Sequence, residues 1–351
     1  MTEFECIKKE LCLASMHISI YAVPSLVVQF RGSSVEVTHT SRLSLDTEMS
    51  RSLLITGATG KQGGAAIRAL LSRNADFRLL AVTRDKTSRS AQKLASLSPK
   101  IALLQGDLND TDAIFGHARD LSNSSPWGVF SVQVPKMGAR GAEVEQAQGI
   151  SLIDSALKAG VKHFVYSSVD RHGDKSINNP TNIPHFLSKH NIEHHLINST
   201  KSIDAMSWTI LRPVAFMENL DGGFVGKLFA TAIKARLSQK PLQLIATEDI
   251  GKVAAEAFLR PEEYKGKAIS LAGDEVNYHQ LAEIFREKTG AGVPVTWNIL
   301  ASLLLASSKE MGTMFSFFEK EGYAADIEAL RRQYPELKDV RTWLESSPYM
   351  K

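Results

Sequence analysis

The clearest chemistry in the sequence lies in one short run, Gly57-Ala-Thr-Gly-Lys-Gln-Gly-Gly64. It follows the apolar run Ser52–Thr56 and precedes a helical pattern, the context in which glycine spacing of this kind binds a dinucleotide. Gly57 permits a tight turn off the strand, and Gly60 lets backbone N–H groups approach a pyrophosphate. Gly63 allows the next helix to pack closely, and that helix's N-terminus supplies partial positive charge. Ala58, Thr59, Lys61 and Gln62 complete the loop and are expected to touch the same ligand.

Two further strand ends refine the ligand. The run Ala81-Val-Thr-Arg-Asp85 places a guanidinium where an acid would otherwise accept hydrogen bonds from a ribose 2′-hydroxyl. Arg84 suits a 2′-phosphate, so NADP(H) is expected in preference to NAD(H). Asp85 either turns away or competes. After the third strand, Asp107 and Leu108 are expected to flank the adenine, and Asp107 equally suits the N-cap of the following helix.

These positions need strands and helices in alternation. Apolar runs of strand length occur at Ser52–Thr56, Arg78–Thr83, Ile101–Gln105, Trp127–Val132, His163–Ser167 and Trp208–Leu211. Helical stretches lie between them, including Lys61–Arg73, Ser90–Leu97 and Glu143–Ala159. Strands apolar on both faces imply a parallel sheet covered by helices, a doubly wound α/β Rossmann fold. Residues 49–220 are expected to form this dinucleotide-binding domain. Residues 221–351 read as a smaller, mostly helical lobe. In it Thr247 can cap a helix, Lys267–Leu271 is a strand, Tyr278–Lys288 is a helix, and a substrate cleft is expected between the lobes. Residues 1–48 read as a poorly ordered extension, dispensable to the core.

Composition narrows the function classes. The net charge of +3 over 351 residues gives no basic footprint for nucleic acid and no polybasic membrane anchor. No apolar run is long enough to span a bilayer. Both cysteines, Cys6 and Cys12, precede the folded body, which therefore has no disulfide or thiolate metal site. A cytoplasmic protein is expected, also nuclear if it is regulatory.

The collinear series Gly57–Gly64, Thr83-Arg84, Gln105–Asp107, Gly160–Ser168 and Leu211–Asn219 resembles the NmrA-like family of atypical short-chain dehydrogenases, over roughly residues 51–290. The resemblance implies a bound NAD(P) and a small C-terminal lobe. It also implies that Lys189 and Phe216, Met217, Glu218 and Asn219 approach the nicotinamide end. The family contains redox-responsive regulators and reductases, some of them enzymes of fungal secondary metabolism.

Short-chain dehydrogenases typically pair a catalytic Tyr with a Lys four residues later. Here the matching turn is His185-Phe-Leu-Ser-Lys189, which keeps the lysine and replaces the tyrosine. His185 is either a substitute proton donor or a structural histidine. Lys189 is expected on the nicotinamide ribose. Ser167 and Ser168 either bond a substrate carbonyl or cap their strand. Tyr166, Trp208 and Phe216 read as packing residues. His190, His194 and His195 read as a solvated helix face, and no metal is expected. Two functions stand: an NADP(H)-dependent reductase of a small carbonyl or enone-type metabolite, and a non-catalytic sensor of the NADP/NADPH ratio that binds a protein partner.

Overall fold

The computed structural model describes residues 28–31, 34–37, 51–134, 139–201, 206–297 and 309–350. The chain divides into two compact units, Met1–Met49 and Ser50–Lys351. Within the first, β1 (Val28–Arg31) pairs antiparallel with β2 (Ser34–Val37). The rest of the 1–48 extension, and with it the expectation of poor order, lies outside the described residues.

The second unit is built on a seven-stranded parallel sheet. Its strands are β3 (Ser52–Ile55), β4 (Arg78–Thr83), β5 (Ile101–Gln105), β6 (Gly128–Ser131), β7 (His163–Ser167), β8 (Ser207–Pro213) and β11 (Lys267–Leu271). The spatial order is β11-β8-β7-β6-β3-β4-β5. The chain winds outward from β3 through β4 to β5, then crosses back to β6 on the other side of β3. That reversal opens a crevice at the carboxyl ends of β3 and β6, where doubly wound sheets bind ligands.

Alternation along the strands feeds two cores. Leu53, Ile55, Phe130, Val165 and Leu211 pack with α1 (Lys61–Ser72) and α7 (Thr247–Leu259). Leu54, Leu80, Val129, Phe164 and Ile210 face the other way. They pack with α3 (Thr111–Ser122), α4 (Ala139–Lys158) and α5 (Pro184–Ser199). The short helix α2 (Arg89–Ala95) connects β4 to β5.

A three-stranded mixed sheet, order β12-β10-β9, comprises β9 (Ala215–Phe216), β10 (Leu242–Ile245) and β12 (Asp274–Val276). A third core joins it to α6 (Phe224–Ala232), α9 (Tyr278–Thr289), α10 (Lys309–Lys320) and α12 (Val340–Glu345). The helices α8 (Pro261–Tyr264) and α11 (Ile327–Gln333) lie in the same C-terminal part of the described residues. Two expectations are corrected. Lys267–Leu271 is a strand, yet it joins the large sheet beside β8 rather than the smaller lobe, with Ile269 opposite Leu211. Thr247 does not cap α7; the N-cap is Ala246, and the Glu218 carboxylate accepts from the Thr247 N–H at 3.0 and 3.1 Å.

His163 shows how the sheet treats a titratable group. It is fully buried on β7, with Nδ1 2.8 Å from Ser207 Oγ and Nε2 3.2 Å from Thr209 Oγ1. Burial pulls its pKa down to about 4. The unfolded chain therefore binds a proton before the folded one, and stability is lost as pH falls from about 6.5 towards 4. Urea unfolding across that window should lose about 3 kcal/mol through this residue. A His163→Gln variant should show a correspondingly shallower pH dependence; an unchanged slope would contradict the assignment.

Candidate functional site

The loop after β3 is made of main chain. Thr56 Oγ1 ties the strand end to its neighbour across the crevice, donating to Val132 O at 2.9 Å and accepting from Val132 N at 2.7 Å. Gly57 then turns with φ +58°, a conformation that side chains resist. Gly60 N–H closes the turn on Gly57 O at 2.9 Å. A Cβ at Gly63 would lie 2.4 Å from Gly57 O, so α1 can pack this closely only with glycine there. Gly60 is the N-cap of α1; no side chain caps it and the first turn holds no acid. The helix therefore presents its N-terminal N–H groups with neither a capping side chain nor an acid of its own first turn on them.

The remaining loop residues have distinct surroundings. Ala58 is buried and Thr59 exposed. Lys61 Nζ donates to Glu218 O at 3.0 Å, and Gln62 Oε1 accepts from Ser167 Oγ at 2.5 Å. At the end of β4, Arg84 is exposed and makes no hydrogen bond or ion pair among the described residues. Asp85 turns away from it: its carboxylate accepts from Thr87 N at 2.7 Å and Thr87 Oγ1 at 2.6 Å, which lowers its pKa. Past β5, the Asp107 carboxylate accepts from Asn109 N at 2.9 Å. The N-cap of α3 is Asp110, bonded to Ala113 N at 3.1 Å, so the capping role considered for Asp107 is excluded. Leu108 is half-buried against the α3–α5 core.

One face of α5 carries three charged or titratable residues at four-residue spacing, His185, Lys189 and Glu193. Each is held from a different element. His185 Nδ1 lies 2.5 Å from Oε1 of Glu310 on α10, which is itself buried. Lys189 Nζ donates to Ser167 O at 3.2 Å and lies 3.2 Å from Glu145 Oε1 on α4. Glu193 is fully buried between Arg171, 2.9 Å away, and Arg212, 2.7 Å away. Burial would raise the Glu193 carboxyl, but the two guanidinium groups overcome it and hold its pKa below the ordinary value.

Ser168 belongs to this last cluster. Its hydroxyl donates to Glu193 Oε1 and accepts from Arg171 Nη1 at 3.4 Å. The hydroxyl is thus engaged inside the protein, which tells against the substrate-carbonyl alternative for Ser168. Tyr166 is fully buried, as packing predicts, although Lys189 Nζ sits 5.6 Å from its ring centroid.

The segment after β8 forms a wall beside the loop. Phe216 is half-buried, Met217 buried, Glu218 half-buried and Asn219 exposed. Glu218 links two helices, through its carbonyl to Lys61 and its carboxylate to α7. His190 and His194 are not a solvated face. Both point Nε2 at Ile177 O, at 3.2 and 2.8 Å, because the turn at Gly173–Asn178 folds over them. His195 pairs with Asp154 at 2.7 Å. Among the described residues no group of three His, Cys, Asp or Glu side chains is placed for a metal.

Sequence reasoning missed Glu145, Arg171, Arg212 and Glu310. Glu145 was legible as an acid within the apolar stripe Ala142, Gly149, Leu152, Ile153 of α4. Nothing local marks Glu310, which meets His185 only through the fold.

Comparison with known proteins agrees with this architecture. Residues 49–344 match the NmrA-like family. An NmrA-like family domain-containing oxidoreductase of Aspergillus hancockii is 30% identical over 255 residues, covering 68% of this chain and 73% of that protein. One from Penicillium ochrochloron is 26% identical and covers 85% of this chain and 98% of its own length. Among solved structures, the NADPH-dependent quinone oxidoreductase QOR2 of Escherichia coli, complexed with NADPH, has a TM-score of 0.63 at 19% identity, covering 84% of this chain and 99% of its own. NmrA, a negative transcriptional regulator in complex with NAD, has a TM-score of 0.61 at 16% identity, covering 86% and 100%. At such identities the structural likeness speaks for the fold.

The buried cluster yields a stability test. Glu193→Gln keeps the shape but leaves two buried guanidinium groups without their carboxylate. Removing one partner of a buried ion pair costs about 3–5 kcal/mol. The urea midpoint at neutral pH should fall accordingly, and a change below about 1 kcal/mol would show that the cluster contributes little.

Proposed function

The chain belongs to the NmrA-like family, and on that premise we propose that it is an NADP(H)-dependent oxidoreductase acting on a small carbonyl or enone-type compound. The observation that carries the cofactor reading is the Gly57–Gly63 turn. A side chain at Gly63 would collide with it, and an uncapped helix N-terminus opens onto it, which suits a pyrophosphate. Arg84, unengaged at the tip of β4 while Asp85 bonds Thr87, supports the 2′-phosphate form. Two structural neighbours, the Citrobacter triphenylmethane reductase and QOR2, are complexed with NADP(H), which is consistent with this choice. Lys61, Gln62, Asp107, Leu108 and Phe216–Asn219 would line the same ligand, with Lys189 on the nicotinamide ribose.

NADPH, when bound, supplies a hydride. The chain's part in a reduction is to deliver the accompanying proton to the substrate oxygen. His185 is suited to it: a buried carboxylate, Glu310, holds Nδ1, and Nε2 has no protein partner among the described residues. Such a carboxylate fixes the ring and leaves one nitrogen for the reacting oxygen. Lys189, one turn later, binds rather than donates. Among the described residues no helix is long and apolar enough to cross a membrane.

Two measurements test this. Arg84→Ala should weaken NADP(H) binding about 10- to 150-fold by calorimetry, the worth of a charged hydrogen bond to phosphate. NAD(H) affinity should barely move; equal losses would dissociate Arg84 from the phosphate. His185→Gln should bind NADPH as the wild type does, yet lower turnover of a reducible carbonyl compound by about 10²–10⁴-fold. Unchanged turnover would remove His185 from the chemistry. Tight NADPH binding by the wild type, with no turnover across a carbonyl panel, would favour a cofactor-sensing regulator instead.

A further inference from the structure

Glu145 sits on the buried face of α4, 1% exposed, and the proposed chemistry gives it no part. Its neighbours along that face, Ala142, Gly149, Leu152 and Ile153, are small or apolar. A carboxylate there is costly unless a partner compensates it. The compensation comes from α5. Ser188 Oγ donates to Glu145 Oε2 at 2.6 Å, and Lys189 Nζ lies 3.2 Å from Oε1. Among the described residues Oε1 has no hydrogen-bond partner of good geometry, so this oxygen is balanced by the charge of the ammonium rather than by a directed bond. Among the described residues, Lys189 is the cation paired with Glu145.

The ammonium is in turn attached to the site. It donates to the carbonyl of Ser167, the last residue of β7, and the Ser167 hydroxyl donates to Gln62 in the glycine loop. A contiguous chain therefore runs from α4 through α5 and the β7 tip to the loop. An ammonium has three N–H donors. Ser167 O takes one, which leaves donors for a ligand beside the Glu145 charge.

We infer that Glu145 is a positioning residue for the nicotinamide-ribose site, holding the Lys189 ammonium in place at the tip of β7. The inference rests on the reading of Lys189 as the ribose-binding cation. Without the carboxylate the lysine keeps the Ser167 bond but loses the charge that confines it, and a flexible four-carbon stem must then be ordered by the ligand itself.

The test is a double-mutant cycle on NADPH affinity, read by calorimetry with Glu145→Gln, Glu145→Asp, Lys189→Met and the Gln/Met double variant. Glu145→Gln should weaken NADPH binding on the order of 10-fold, the scale of one charge-assisted contact. Glu145→Asp should restore most of that loss. In the Lys189→Met background, Glu145→Gln should add nothing. If Glu145→Gln does not fold, Ser188→Ala, which loosens the carboxylate without removing it, takes its place in the same cycle. Wild-type affinity in Glu145→Gln, alongside a loss in Lys189→Met, would overturn the inference and leave the ribose reading intact. Additive losses in the double variant would also overturn it, because Glu145 would then act by another route. Wild-type affinity in Lys189→Met would remove the ribose reading and the inference with it, and absence of NADPH binding by the wild type would remove the proposed function.

Discussion

A carboxylate buried between two arginines is the constraint on which the arrangement of this protein's candidate site depends. Glu193 lies on α5, Arg212 on β8, and Arg171 in the turn that leaves β7. Arg171 also donates from Nε to Asn179 O at 2.9 Å, from Nη1 to Val169 O at 2.9 Å and from Nη2 to Ser176 O at 2.9 Å. A fully buried guanidinium needs this many acceptors, since each unmet donor would carry a desolvation penalty. The cluster therefore has little freedom to rearrange. It sets both the depth and the rotation of α5 against the carboxyl ends of β7 and β8.

That rotation decides what the rest of α5 faces. His185 and Lys189 lie two turns and one turn before Glu193 on the same side of the helix, so fixing one end orients the other two. Glu310 and Glu145 then meet them from α10 and α4. The helix is a row of three groups, each matched by opposite or complementary charge from a different part of the chain. Partly buried pairs of this kind hold side chains in one geometry more than they add net stability.

The proposed phosphate end follows another logic. There the chain offers backbone N–H groups, glycines and a helix terminus, with Arg84 as an exposed long cation at the β4 tip. Main-chain donors are rigid and cannot swing away, whereas the proposed nicotinamide end relies on long side chains that neighbours must brace. Glu218 ties the loop helix to α7: its carbonyl receives Lys61, and its carboxylate receives the first N–H of α7. The Tyr349 hydroxyl bonds Leu220 O, so the C-terminal segment also holds this wall.

The sequence by itself determined the parallel sheet, the helix order and the phosphate loop. Arg78–Thr83, Ile101–Gln105 and His163–Ser167 are strands with the bounds their apolar runs predict. This was legible because burial on both faces, turn geometry and glycine spacing are local properties, written within a few residues of where they act. Thr247 and the β11 strand were misread where a local signal had a competitor elsewhere in the chain, and of the two roles open to Asp107 the cap fell to Asp110. A helix N-terminus can be capped by any nearby acceptor, and Glu218 arrives from another loop. An apolar strand does not state which sheet it joins. The partners of the side chains at the proposed nicotinamide end were decided by tertiary structure. Ser168 turned inward because Glu193 was there to accept its hydrogen bond, and His185 gained a partner 125 residues away. Pairs of buried charges are compensated through space, and spatial proximity between α4, α5 and α10 exists only after the cores have packed.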